Sequence, residues 1–178
     1  MGLEREVVET DVVICGSGSA GICAAIWLAQ AGIDFHMLEQ RSGPLTVGQA
    51  DGVQCRTVEI FDSLGIAEEL LREAYHVNEL TFWSLDEQTQ KLKRTSRAPD
   101  TPIGISHQPH VILNQARINA LLLTKVHHYA PKFQVDYDHT VTGVVYDETK
   151  APVQVRTLYG GREKVFEAKY VVVSSSPV

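Results

Sequence analysis

The sequence predicts an α/β fold in which a parallel sheet is joined to an antiparallel β-meander. Three observations predict it. Val12-Val13-Ile14-Cys15 is a short continuous apolar run, followed by closely spaced glycines and then an apolar pattern of helical period. Residues 134–167 alternate between apolar and polar, as half-buried strands do. Tyr170-Val171-Val172-Val173 is again continuous and apolar, the pattern of a strand buried on both faces in a parallel sheet.

Taken in order, Val12 to Cys15 is the first buried strand. Ala24, Ala25, Ile26, Leu28 and Ala29 then lie at helical spacing, and Gly32 marks the helix end. A second apolar strand, about Phe35 to Leu38, closes on Glu39. Gln40-Arg41-Ser42-Gly43-Pro44 is a loop, and LTVGQADGVQC (45–55) is an ordered loop around a solitary acid, Asp51. Residues 56–75 read as two helices broken at Gly65, and LTFWSL (80–85) as a strand. Residues 86–109 are polar and carry three prolines, which fits a loop or a strand pair at a sheet edge. Val111-Ile112-Leu113 is a short strand running into Asn114, a good N-cap. The helix from Gln115 to about His128 sets Ile118, Leu121, Leu122 and Val126 on one face. In the last third, Val135/Tyr137, Val141 to Tyr146 and Val153/Val155 are candidate strands. Gly160-Gly161 is a hairpin turn into Lys164–Glu167, and Tyr170–Val173 is a separate strand returning to the parallel sheet. Trp27 and Trp83 read as core residues.

Composition narrows the functional classes. With 178 residues, 44% of them hydrophobic, the chain can bury one core, so residues 1–178 are expected to form a single domain. The net charge of −6, with acids and bases interspersed, argues against nucleic acid or an anionic membrane as partner. No apolar run reaches the roughly 18 residues of a membrane span, and the first ten residues do not resemble a secretory signal. Cys15, Cys23 and Cys55 lack metal-type spacing, which points to a reducing, cytoplasmic setting. His107 and His110 are separated by Pro109 and have no nearby acid or thiol partner, so no metal site is expected. His127 and His128 sit well at a helix end, near its negative dipole.

The chemistry is concentrated in the first crossover. Gly16, Gly18 and Gly21 are spaced GxGxxG between a strand and a helix. In that setting the first glycine makes the tight turn, the second lets backbone approach a pyrophosphate, and the third permits close helix–strand packing. Ser19 and Ala20 open the helix, whose unpaired N–H groups and positive dipole end face an anion. Glu39 lies where an acid accepts hydrogen bonds from an adenosine ribose. The unit thus predicts a Rossmann-like dinucleotide site that leaves FAD and NAD both open. Glu39 disfavours a 2′-phosphate by like-charge repulsion.

The order GSGSAG, LEQRSGPLTVGQADGVQCRTVEIFDSLGI, FWSLDE and SHQPHVILNQARIN resembles the FAD-dependent aromatic hydroxylases, in particular the phenol 2-monooxygenase and 3-hydroxybenzoate 4-monooxygenase branch. The resemblance implies a Rossmann-like FAD-binding fold and FAD as cofactor. It also implies NADPH as a transient reductant, and O₂ and a phenolic small molecule as substrates. It assigns the ADP part of FAD to Gly16, Gly18, Gly21 and Glu39, counts Ser19, Ala20 and Gln40 among the cofactor-binding residues, and places Arg41 and Arg56 near phosphate or adenine. Gln115 matches a glutamine beside the flavin and ribityl part. Asp51 matches a carboxylate near the phenolic hydroxyl, where a base assists deprotonation.

The sequence departs from that family in one place. Relatives follow the strand at Tyr170–Val173 with Gly-x-Asp-Gly, whereas Ser174-Ser175-Ser176-Pro177 stands here. The expectation is an FAD-binding portion truncated before the substrate domain and a thioredoxin-like region, and inactive by itself. A catalytically silent nucleotide-binding or pairing fragment and an NAD-dependent dehydrogenase are the alternatives, and the sequence leaves homo-oligomerisation open.

Overall fold

The computed structural model describes residues 6–147 and 150–174. In chain order the elements are β1 (Glu6–Cys15), α1 (Ser19–Ala31), β2 (Phe35–Leu38), β3 (Gly52–Val53), α2 (Cys55–Ser63), α3 (Ala67–Glu73), β4 (Tyr75–Val77), β5 (Glu79–Leu85), β6 (Leu92–Pro99), β7 (His110–Ile112), α4 (Gln115–Tyr129), β8 (Thr140–Asp147), β9 (Lys150–Tyr159) and β10 (Arg162–Val173). The chain divides into two compact units. One comprises residues 1–47 and 118–178, the other residues 48–117.

The first unit is built on a five-stranded sheet of order β2-β1-β10-β9-β8. β1 pairs in parallel on both edges, with Cys15 opposite Leu38 of β2 and Val173 of β10. Its end is therefore flanked by parallel strands on both sides, the place where α/β sheets receive ligands. Val13, Ile14, Ala25, Ile26, Met37 and Phe166 are fully buried. At the far end of α1, Gly32 adopts the left-handed conformation (φ 68°) and returns its N–H to Ala29 O and Leu28 O, closing the helix.

The meander and the returning strand are one piece. β10 runs unbroken for 12 residues, antiparallel to β9 along its first part and parallel to β1 along its length. Glu167 and Lys169, at the junction of the two expected strands, lie on accessible positions of one strand. Glu167 accepts from Gln154 Nε2 at 2.8 Å and Lys169 pairs with Asp11. Gly160 and Gly161, both at positive φ, make the tight β9–β10 turn. Around Val135 and Tyr137 there is no strand, only a single bridge between Leu38 and Asp136.

The second unit holds a small sheet of order β3-β7-β4 and a separate β5–β6 hairpin. Gly65, at φ 70°, breaks α2 from α3 as expected. Both tryptophans depart from expectation: Trp27 is 51% and Trp83 58% exposed. Trp27 lies on the outer face of α1, and every residue of β5 is exposed. An apolar side chain at helical or strand spacing is buried only where another layer covers it. Among the described residues no helix is long and apolar enough to cross a membrane.

Candidate functional site

In the first unit the site forms where β1 ends. Gly16, at φ 106°, makes a turn that a side chain would strain, and its N–H donates to Leu38 O at 2.8 Å. A Cβ on Gly21 would collide with Gly16 O and lie 2.6 Å from Ser174 Oγ and 3.3 Å from Ile14 Cγ2. Close packing of helix on strand therefore requires this glycine. Gly18 differs. Its φ of −72° suits any residue, and a Cβ there would meet nothing within 4 Å. Neither conformation nor protein packing calls for glycine at that position, and the space beside its backbone is open. No side chain caps α1, and Ala20 is exposed in its first turn. The Ser19 hydroxyl donates to the buried Asn119 Oδ1 at 2.7 Å, away from the helix's own N–H groups.

Glu39 closes β2 at 6% exposure. Its Oε2 accepts from Ser17 N at 2.9 Å, Ser17 Oγ at 2.8 Å and Arg41 Nη2 at 2.9 Å. Its Oε1 accepts from Arg41 N at 3.0 Å and Arg41 Nε at 3.1 Å. Burial pushes the carboxyl pKa up, but the hydrogen bonds from Arg41 and Ser17 outweigh it and bring it down to about 2. Arg41 thus sits on Glu39, and Gln40 between them is exposed. Residues 136–139 clamp this turn from outside. Glu39 N donates to Asp136 O, Asp138 N to Arg41 O and His139 N to Glu39 O, each at 2.9 Å. Burial, then the negative charge of Glu39, raises the pKa of the Tyr137 phenol.

Ser17, Asn119 and the clamp were not anticipated. Asn119 stands four residues after Gln115, on the same helix face, which was a usable signal. The clamp is an irregular turn with Asp138 at φ 61°, and nothing in its residue types announces it.

The second unit holds Asp51, Arg56 and Gln115. Asp51 and Gln115 come together: Asp51 Oδ1 accepts from Gln115 N at 3.2 Å, and Gln115 Oε1 accepts from Gln49 N at 3.1 Å. Asn114 Oδ1 accepts from Ala116 N at 2.9 Å, as an N-cap would. The exposed Asp51 carboxylate holds the first N–H of α4. The Arg56 side chain is 79% exposed, with its Nη1 3.4 Å from Glu59 Oε2. His110 Nδ1 lies 3.0 Å from Asp100 Oδ2, and no group of three metal-ligating side chains occurs among the described residues. Ser174 ties β10 to the glycine turn, its N–H bonded to Cys15 O at 2.9 Å and its Oγ 3.0 Å from Gly16 O. The remainder of the serine run, residues 175–178, lies outside the described residues.

A cavity of about 740 Å³ opens at the other end of α1, lined by Gly32, Phe35, His36, Phe133 and Asp136 among others. It lies at the start of β2, away from the carboxyl ends of the parallel strands, where α/β sheets receive ligands.

A family described as "FAD binding domain" matches residues 9–174. The chain belongs to that family. It is 52% identical over 174 residues to an FAD-dependent monooxygenase, terD, of Aspergillus terreus, covering 92% of this chain and 28% of the relative. It is 37% identical to the 3-hydroxybenzoate 4-monooxygenase of Comamonas testosteroni, covering 92% of this chain and 27% of the relative. The flavin-dependent monooxygenase PieE, solved in complex with FAD and substrate, superimposes with a TM-score of 0.76 at 24% identity over 92% of this chain and 30% of that one. That likeness shows the fold. The chain therefore spans under a third of the length of these relatives.

Proposed function

We propose that residues 1–178 act as an FAD-binding domain, with the pyrophosphate at the N-terminus of α1 and the adenosine ribose at Glu39. The observation that carries this reading is the open space at Gly18 beside a helix start that no side chain caps. The residues present suit the adenylate half of the cofactor: a backbone cradle for phosphate and a carboxylate at the next strand end. FAD, when bound, supplies oxygen activation that protein side chains cannot. In the whole enzyme the reaction we infer is hydroxylation of a phenolic aromatic by O₂, with NADPH as reductant. The relatives named for monooxygenation of aromatics support it. Arg56 and Gln115 would contact the cofactor, and Asp51 would hold the phenolic proton.

Titrating the purified chain with FAD while following flavin fluorescence tests the binding claim. Saturable quenching that ADP reverses supports it. Fluorescence that stays at the free-flavin level, together with thermal protection by NADH, favours a dehydrogenase instead.

A further inference from the structure

The donors around Glu39 are too many. An ionised carboxylate offers about four lone-pair positions, and five donors reach this one. Three of them, Ser17 N, Ser17 Oγ and Arg41 N, belong to the turn itself or to a short side chain in it. The other two are the Nε and Nη2 of the Arg41 fork, one on each oxygen: Nε on Oε1 at 3.1 Å and Nη2 on Oε2 at 2.9 Å. A ribose cis-diol also carries two neighbouring donors, and it binds a carboxylate by placing one on each oxygen. The fork and the diol need the same two positions.

We propose that Arg41 is a displaceable placeholder for the ribose diol, so that nucleotide binding exchanges the guanidinium fork on Glu39 for the two ribose hydroxyls. The proposal rests on the FAD reading above and differs from the placement of Arg41 at phosphate or adenine. The physical need is plain. A buried carboxylate without partners is costly, so the ligand-free chain must satisfy Glu39 internally. The guanidinium does this bidentately. Its side chain is 37% exposed against 7% for Glu39, so it can withdraw into solvent without moving the backbone. Arg41 N–H and Ser17 stay in place and keep Glu39 aimed. Specificity follows: a ligand lacking the diol leaves the fork undisturbed, and only a ribose-bearing ligand removes it.

The test uses the full chain, ¹⁵N-labelled, and follows the Arg41 Nε–H resonance together with the amides of Ser17 to Ala20. Inorganic pyrophosphate should shift those amides and leave the Arg41 resonance in place. ADP should shift the same amides and also release Arg41 Nε–H into fast exchange with water. In Arg41→Ala the loss of affinity for 2′-deoxy-ADP relative to ADP should grow to about tenfold, the value of one charge-assisted hydrogen bond, because no fork remains to take the vacated position. Arg41→Lys, which keeps the charge but cannot fork, should show the same increase and covers the case in which the alanine variant does not fold. If ADP shifts the amides while Arg41 Nε–H is unmoved, or the 2′-deoxy penalty is equal in wild type and both variants, the placeholder is wrong and the FAD reading stands. If ADP and FAD shift nothing, the FAD reading fails and takes the placeholder with it.

Discussion

Glu39 carries a charge into a buried place and keeps it there. Its pKa lies near 2 against an ordinary value of 4.5, so the folded state binds its proton less tightly than the unfolded state does. The stabilisation is complete above pH ~5 and is lost as pH falls toward 2. The depression corresponds to about 3 kcal/mol. Urea midpoints should therefore hold steady from neutrality down to about pH 5 and then fall. In Glu39→Gln the acid-side fall should shrink, because that titration is gone; an unchanged acid limb in the variant contradicts the assignment. At this scale the acid and the glycines were legible in the sequence, since strand-end position and GxGxxG spacing report geometry directly. Arg41's partner was not. A residue two places from an acid can point anywhere, and only the fold of the turn decides that it doubles back onto Glu39.

The glycine turn and α1 separate two tasks that one motif conceals. Gly21 is required by packing, because its Cβ would meet the backbone oxygen of Gly16, which cannot yield. Gly21→Ala should lower stability by about 2–3 kcal/mol, the cost of overpacking, and a melt will show it. Gly18→Ala should leave the melt within ~0.5 kcal/mol of wild type but weaken FAD by about tenfold, or ~1.4 kcal/mol, because the added methyl fills the cradle. Equal melts for the two variants would contradict this division. Strand and helix positions in this region were readable from the apolar runs. β10 was expected as two strands, Lys164–Glu167 and Tyr170–Val173, because the polar Glu167 and Lys169 interrupt the apolar pattern. In the structure Glu167 and Lys169 lie at accessible positions and pair with Gln154 and Asp11, while Ala168 between them is buried and the ladder continues. The clamp at residues 136–139 was illegible because it depends on long-range backbone pairing with residues 37–41, not on local pattern.

Across the whole molecule, the α/β class, the parallel β2-β1-β10 core and the antiparallel β10-β9-β8 extension follow from the sequence. Burial of the tryptophans does not, because spacing shows which residues share a face and not what covers it. Acrylamide should quench the fluorescence of Trp27→Phe and Trp83→Phe variants alike, since each retains one exposed indole; a protected indole in either contradicts the structure. The site residues also distribute unevenly: those proposed for the adenylate lie in one unit, and Asp51, Arg56 and Gln115 in the other. The first group rests on geometry, so the most direct measurement concerns it. Amide shifts mapped across the ¹⁵N-labelled chain on addition of FAD should centre on Gly16 to Ala20 and Glu39 to Arg41. Shifts centred on the cavity between Gly32, Phe35 and Phe133, with the glycine turn unmoved, would contradict the account.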